Sequence, residues 1–221
     1  MNLLNQITDV SSFIFNKDLS EGASGNISFA FSLKSAKIYS SIKLLMPLKS
    51  IAGESYAITA TGSRVYELAE SPKECLSLVK VSSDGKYLHL LNDLKPSSEI
   101  LCHLLAYEAG AKKKNIIKAI IHVHPKYSLA LSNGMTKKNL NSLLDKTHTE
   151  FKYYFPNGIG FVKRTDPGTL LLAKKNAEES SKHSVVVWEN HGMIASGNDF
   201  YECYDKLDTI ESISKIAVLS R

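Results

Sequence analysis

The chain has 221 residues, of which 43% are hydrophobic and 22% charged, and its formal net charge is +5. The length favours one domain, residues 1–221, and the composition excludes wholesale disorder, collagen and coiled coil. The positive excess is mild, and no stripe of basic and aromatic residues occurs, so we expect no nucleic-acid partner.

Cysteine usage and the first residues predict the compartment. Cys75, Cys102 and Cys203 are odd in number and widely spaced, so we expect neither a disulfide framework nor a thiolate zinc site. The N-terminal segment has no basic leader followed by a long apolar core, and no apolar run is long enough to span a bilayer. We therefore expect a cytoplasmic protein with no membrane partner.

Helical and alternating patterns interleave in the first half of the chain. Apolar residues at helical spacing predict a helix over residues 3–19. A second helix, 100–111, follows Pro96 and should have Ser97 or Ser98 as its N-cap. The turn Ser83-Asp84-Gly85 is a hairpin signal between two β-rich runs. The predicted strands of this half are residues 27–33, 56–60, 75–82 and 86–91.

The second half continues the alternation. Its predicted helices cover residues 126–133, 136–146, a segment from 166–169 to about 181, and a final segment from about 199. Its predicted strands are residues 116–123, 151–154, 159–162, 184–188 and 193–196. Since hairpins join several strands, we expect a single α/β or α+β domain whose mixed or antiparallel sheet is flanked by helices.

Three histidines at strand ends are the most informative residues. His122 and His124 are two apart in a predicted strand, so they share a face and can take two corners of a zinc site. The alternative is one packed histidine and one solvent-facing histidine. His191, followed by a glycine, is a third candidate, and three histidines with one open position are typical of catalytic zinc. We expect structural roles for the remaining histidines that show no pairing: His89, His103, His148 and His183. His103, four residues after Glu99 on the same helix face, could also support the site.

Glu99 stands at the predicted helix start, directly after two serines. One interpretation is structural, because serine and an acidic residue are common at helix N-termini. The functional interpretation is that the helix start and the hydroxyls bind an anion while Glu99 acts as a base. The small-residue turns Ser24-Gly25-Asn26 and Thr61-Gly62-Ser63 could add to such an anion site.

Five motifs taken in chain order resemble the class II aldolase/adducin family, which contains zinc-dependent sugar-phosphate aldolases, a 4-epimerase and adducin head domains. The motifs are SGNIS at 24–28, TG at 61–62, PSSE at 96–99, HVHP at 122–125 and NHG at 190–192. Within the family, the chain most resembles the rhamnulose-1-phosphate aldolases. That similarity lies in residues 78–85, 155–160, 166–169, 182–188 and 197–217.

The resemblance implies a fold and a set of site residues. The fold would be a three-layer α/β/α arrangement with a central mixed, largely antiparallel sheet. One Zn²⁺ per subunit would be held by His122, His124 and His191, and Glu99 would move the proton at the reacting carbon. A homotetramer with sites between subunits is implied, with Glu150 of a neighbouring subunit as a second catalytic glutamate. The implied phosphate and substrate contacts are Gly25, Asn26, Thr61, Gly62, Ser63, Ser97 and Ser98.

The implied reaction is the reversible, zinc-dependent cleavage of a 6-deoxy-ketose 1-phosphate. L-Rhamnulose 1-phosphate, which gives dihydroxyacetone phosphate and L-lactaldehyde, is the first choice. The alternatives are L-fuculose-1-phosphate cleavage, pentulose-phosphate 4-epimerisation or another sugar-phosphate lyase reaction of the family. The family's epimerases carry Asp where this chain has Glu99, which favours an aldolase, whereas Ala23 replaces a polar phosphate contact of the rhamnulose type. A non-catalytic adducin-like module is the remaining alternative.

Overall fold

One mixed sheet runs through the chain. The computed structural model describes residues 3–33 and 35–220, and within them nine strands pair into this sheet. The strands are β1 (Asn26–Phe31), β2 (Ser40–Lys43), β3 (Ser55–Thr59), β4 (Leu76–Val81), β5 (Tyr87–Leu90), β6 (Ala119–Val123), β7 (Gly160–Val162), β8 (Val185–Trp188) and β9 (Gly192–Gly197).

The strand order across the sheet is β2-β5-β4-β3-β1-β6-β9-β8-β7. All neighbouring strands are antiparallel except β7 and β8, which are parallel. The mixed, largely antiparallel sheet expected from the sequence is therefore confirmed. Strands β1, β6 and β9 lie side by side near its middle, and the functional site is built at their ends.

Helices cover both faces of the sheet. They are α1 (Leu3–Asn16), α2 (Val65–Glu70), α3 (Ile100–Lys112), α4 (Lys126–Ser132), α5 (Lys137–Thr147), α6 (Phe151–Tyr154), α7 (Leu170–Ser180) and α8 (Phe200–Leu219). Successive strand residues point to opposite faces, so Ile120 packs with the core under α3 and α7, whereas Ile121 packs with the core under α1 and α8. This is the expected three-layer α/β/α fold. Among the described residues, no helix is both long and apolar enough to cross a bilayer.

Two of the sequence-based predictions are wrong. Residues 151–154 were expected to be extended, but they form α6, because Phe151 and Phe155 lie four apart and both bury their rings, 5.6 Å between centroids. Neither serine before α3 is its N-cap, which is Glu99. The backbone N–H of Ser97 instead donates to the carbonyl of Thr59, which ties Ser97 to the end of β3.

Candidate metal centre and its cavity

Strand pairing brings the separate motifs together. Asn26 begins β1 and is paired with His122 near the end of β6, and His191 directly precedes β9. In antiparallel neighbours the start of one strand lies beside the end of the next. His124 is the residue directly after β6, so all three histidines meet where the central strands β6 and β9 end and begin.

The three imidazoles face a common point. Their candidate ligand atoms all lie within 4.8 Å of one another, and the Nε2 atoms of His122 and His124 are 3.0 Å apart. His122 Nδ1 lies 3.0 Å from the carbonyl oxygen of Met193 and His124 Nδ1 lies 3.0 Å from a carboxylate oxygen of Glu21. Those oxygens only accept, so Nδ1 carries the proton of each neutral ring and the Nε2 lone pair points inward.

Glu99 closes this group of atoms. Its Oε2 lies 3.1 Å from His122 Nε2 and its Oε1 lies 3.1 Å from His191 Nε2. Two inward lone pairs and a carboxylate therefore face one another at hydrogen-bond distance. Such a set of electron-pair donors suits a cation, and imidazole nitrogens with a nearby carboxylate are common ligands of divalent transition metals. The residues present fit a metal ion.

Tight packing holds the imidazoles in place. The ring centroid of Trp188 is 4.5 Å from that of His122 and 5.0 Å from that of His191. Trp188 is itself fixed, since its buried Nε1–H donates to Asn176 at 3.0 Å. On the other side, a Cβ atom on Gly192 would come within 2.8 Å of His122 Cε1 and of His124 Cδ2. The glycine of the NHG motif is therefore required by the rings that pass over it.

Burial controls the charge of the centre. Burial lowers the pKa of His122 to about 3, although Glu99 opposes that effect, so the ring is neutral at neutral pH. For Glu99, burial alone would raise the pKa, but the imidazoles of His122 and His191 and the amide of Asn26 outweigh it and hold the pKa well below its usual range. Glu99 is therefore ionised beside the neutral imidazole of His122.

A cavity of about 190 Å³ opens directly beside the centre. Glu99, His124 and His191 form part of its wall, and the methyl group of Ala23 lies in the wall as well. The cavity is also lined by every residue that the sequence assigned to phosphate and substrate binding: Gly25, Asn26, Thr61, Gly62, Ser63, Ser97 and Ser98.

Two glycines shape the rim of the cavity. Gly25 has φ of +77°, and a Cβ there would lie 2.6 Å from Ser20 Oγ, so no side chain fits. Gly62 has φ of +88° in an open turn. Among the described residues, none accepts a hydrogen bond from the backbone N–H of Gly62 or Ser98. These donors, together with the start of the 13-residue helix α3, suit an anionic group.

Glu150 is not brought into this site. It is exposed at the N-cap of α6, where its backbone N–H approaches His148 Nδ1 at 3.3 Å, and it lies outside the residues that line the cavity. A catalytic role for Glu150 therefore stays a prediction that depends on a second copy of the chain.

Sequence reasoning missed Glu21 and Trp188 beside the centre and left open a supporting role for His103. Glu21 accepts from a metal-site imidazole, Trp188 supports two of them, and His103 is hydrogen-bonded behind Asn26. For Glu21 the available signal was an acidic residue four positions before the Gly25 turn, which is weak without the fold. His103 was expected to be structural, although its spacing from Glu99 places both on one helix face.

Comparison with known proteins agrees with this geometry. Residues 5–218 match the family described as Class II Aldolase and Adducin N-terminal domain. The chain belongs to that family. Class II aldolases are lyases and are generally metal-dependent, in keeping with the three-histidine centre of this family member.

Curated relatives and solved structures give the same picture. The rhamnulose-1-phosphate aldolase of Listeria monocytogenes serotype 4b is 24% identical over 96% of this chain and 83% of its own length. The rhamnulose-1-phosphate aldolase of Escherichia coli O139:H28 is 30% identical over 80% of this chain and 67% of its own length. A sugar-phosphate aldolase from Thermotoga maritima superposes with a TM-score of 0.85 at 30% identity, covering 98% of this chain and 94% of its own. An L-fuculose-1-phosphate aldolase from Thermus thermophilus shares the fold, with a TM-score of 0.65 at 18% identity and coverage of 99% and 94%.

Proposed function

We propose that this chain is a zinc-dependent aldolase that reversibly cleaves L-rhamnulose 1-phosphate to dihydroxyacetone phosphate and L-lactaldehyde. One observation carries the proposal: an ionised Glu99 contacts the metal-site imidazoles and also forms part of a cavity whose rim suits a phosphate. Relatives named rhamnulose-1-phosphate aldolase, of which the chain spans two thirds or more, support the choice of sugar.

The cleavage breaks the bond between C3 and C4 of the ketose. The hydroxyl at C4 loses its proton, its oxygen becomes the aldehyde carbonyl, and the electron pair of the broken bond passes to the dihydroxyacetone phosphate fragment. Zinc, held by His122, His124 and His191, would supply a Lewis acid for the negative charge that develops on that fragment. Glu99, which is ionised at rest, takes up the proton that the C4 hydroxyl releases and delivers it to C3, and it carries that proton back in the reverse direction, as its place beside the imidazoles and the cavity allows.

The polar rim positions the substrate. Unpaired backbone N–H groups at Gly62 and Ser98 bind phosphate oxygens, and the serines beside the start of α3 add hydroxyl donors. These contacts are remote from C3, so they orient the sugar without taking part in bond breaking. Gly25, which has no side chain, lets the turn before Asn26 pack closely against Ser20 and the backbone of His122.

The test is direct cleavage of L-rhamnulose 1-phosphate by zinc-loaded protein, followed as release of dihydroxyacetone phosphate. Thorough chelation should abolish the reaction and zinc should restore it. Glu99→Gln should lower kcat by about 10²- to 10⁴-fold, whereas Glu54→Gln, an exposed glutamate outside the cavity wall, should leave it unchanged. Activity that survives chelation would refute the metal mechanism.

The sugar is tested separately with a panel. Parallel reactions contain L-fuculose 1-phosphate and L-ribulose 5-phosphate. Preferred cleavage of the fuculose ester would move the assignment to that aldolase, and epimerisation of the pentulose ester would replace cleavage altogether. Binding of sugar phosphates without turnover of any would support an adducin-like module.

We propose that the working form is a homotetramer with its sites between subunits. Glu150 is exposed and outside the cavity wall, so it can act only if a second copy presents it. Mixing inactive Glu99→Ala and Glu150→Ala subunits should restore part of the activity, since some sites then combine both intact glutamates. No recovery on mixing, with exchange of subunits shown by mass spectrometry, would contradict a shared site.

We place the reaction in the cytoplasm. Cys75, Cys102 and Cys203 are free thiols buried in the structure, and none pairs with another, which suits a reducing compartment. Fractionation of the source cells with an antibody against the chain tests this location.

A further inference from the structure

A row of buried polar side chains runs from Glu99 away from the cavity. Asn26 Nδ2 donates to Glu99 Oε2 at 2.9 Å, and Asn26 Oδ1 lies 2.6 Å from His103 Nε2. Behind His103, its Nδ1 lies 2.7 Å from Ser28 Oγ, which is 3.0 Å from the hydroxyl of Tyr107. The five groups form one continuous hydrogen-bonded row.

The row is built by two matching periodicities. His103 and Tyr107 are four residues apart on α3, and Glu99, the N-cap of that helix, precedes His103 by four, so the three line one helix face. Asn26 and Ser28 are two apart on β1 and therefore share the sheet face beneath that helix. His103 is fully buried and Ser28 is 1% exposed. At that depth polar groups need partners from the protein itself, and here every one has them.

The chemistry of the groups gives the row a direction. A carboxylate only accepts, so the amide nitrogen of Asn26 must face Glu99 and its oxygen must face His103. His103 Nε2 therefore carries a proton. Burial lowers the pKa of His103 to about 4, so the ring is neutral and its Nδ1 accepts from the hydroxyl of Ser28. Ser28 in turn accepts from Tyr107, and every donor points towards Glu99.

The two oxygens of Glu99 consequently differ. Oε2 is held by Asn26 and lies beside buried His122, whereas Oε1 lies beside His191, which lines the cavity. A flipped Asn26 amide would turn its oxygen against the carboxylate and release Oε2. His103 opposes that flip, because in the flipped state its Nε2–H would meet an NH₂ group.

We propose that His103 is a positioning residue for Glu99: by fixing the Asn26 amide, it holds Oε2 and presents Oε1 to the substrate. Ser28 donates to His103 Nδ1 and accepts from Tyr107, and these two hydrogen bonds keep the proton of His103 on Nε2. The inference rests on the proposed function only where it treats Glu99 as the base. The direction of the hydrogen bonds is a property of the resting protein.

The first test needs no catalysis. NMR of protein labelled with ¹⁵N-histidine should show His103 as a neutral ring with its proton on Nε2, unchanged from pH 5 to 8. Ser28→Ala removes the donor to Nδ1, and the His103 signals should move towards a mixture of tautomers. A proton on Nδ1, or a charged ring, in the wild-type protein would overturn the inference.

The second test compares two substitutions at His103. Gln can place an amide N–H near the position of Nε2, whereas Leu has a similar volume and no donor. His103→Leu should lower kcat for L-rhamnulose 1-phosphate by about 10- to 100-fold, and KM should stay within about threefold. His103→Gln should recover most of kcat. Both variants should bind zinc as the wild type does, since His103 is hydrogen-bonded to Asn26 and Ser28 and to no histidine of the metal site.

The outcomes separate the possible failures. A fully active His103→Leu, or a Gln variant as impaired as the Leu variant, would refute the positioning role. If His103→Leu does not fold, Tyr107→Phe takes its place, with a smaller loss of kcat and a shifted ¹⁵N signal of His103 expected. If the wild-type protein cleaves no ketose phosphate, the proposed function fails, but the tautomer measurement still decides the direction of the row.

Discussion

Gly192→Ala should disable the metal centre with little damage to the rest of the fold. An ideal Cβ at this position lies 2.4 Å from the carbonyl oxygen of Val123 and 2.8 Å from a ring carbon of each of His122 and His124. Carbon and oxygen do not approach closer than 3.0 Å around real Cβ atoms, so the strand or the glycine must retreat by roughly 0.6 Å. Metal–ligand distances tolerate only about 0.2 Å.

The expected results follow from that displacement. Overpacking of this size destabilises a protein by about 1–3 kcal/mol, whereas zinc affinity should fall by about 10- to 100-fold because two ligands move together. Zinc affinity is measured by competition with a chromogenic chelator and stability by urea unfolding. Gly53→Ala is the matched control: its φ of +83° strains an alanine by about 1–2 kcal/mol, but nothing lies within 4 Å of the new Cβ. Equal zinc affinity in Gly192→Ala and the control would refute the packing argument.

Two further predictions concern charge around the centre. Glu21→Gln should weaken zinc binding by about tenfold, because a neutral amide accepts the hydrogen bond from His124 Nδ1 less strongly than a carboxylate does. The control Glu54→Gln, at an exposed glutamate, should leave zinc affinity unchanged, and competition with a chelator measures both variants. Burial lowers the pKa of His103 to about 4, below its ordinary value. As the pH falls, His103 therefore binds a proton in the unfolded chain before it does so in the folded chain, and the folded state loses stability. This contribution to the free energy of unfolding is complete above about pH 6.5 and declines by about 3 kcal/mol by pH 4. Urea unfolding at several pH values measures it, and a His103→Gln variant whose free energy of unfolding falls equally steeply with pH would contradict it.

Local patterns predicted most of the fold because most elements carry a clear period. The hairpin of β4 and β5 and the long helix α8 follow directly from turn residues and apolar spacing. Strand β2 was not predicted, because all four of its residues are exposed and no alternation distinguishes them from a loop. Residues 151–154 were predicted to be extended because the turn signal Pro156-Asn157-Gly158 follows them, and the burial of Phe155 that makes them helical is a tertiary effect.

The site divides in the same way. The sequence suggested His122 and His124 as metal ligands, because they share one face at a strand end, and Glu99 as a base, because it stands at a helix start; in the structure the three are in contact. It did not reveal the hydrogen-bond partners, because those depend on strand pairing across long separations. Asn26 lies beside His122 only because of the register in which β1 pairs with β6. His103 reaches Asn26 only because α3 packs over that part of β1.

The neighbours of β6 have a consequence for how the protein becomes active. Strand β1 comes from the first 31 residues and β9 from residues 192–197, yet both flank β6 in the finished sheet. A nascent chain that has emerged only as far as β8 holds two of the three imidazoles and lacks the strand that sets the third. Contacts of such wide sequence separation form late and slowly. The three candidate metal ligands therefore come together only after β9 has joined the sheet, and a chain that stops at β8 lacks His191.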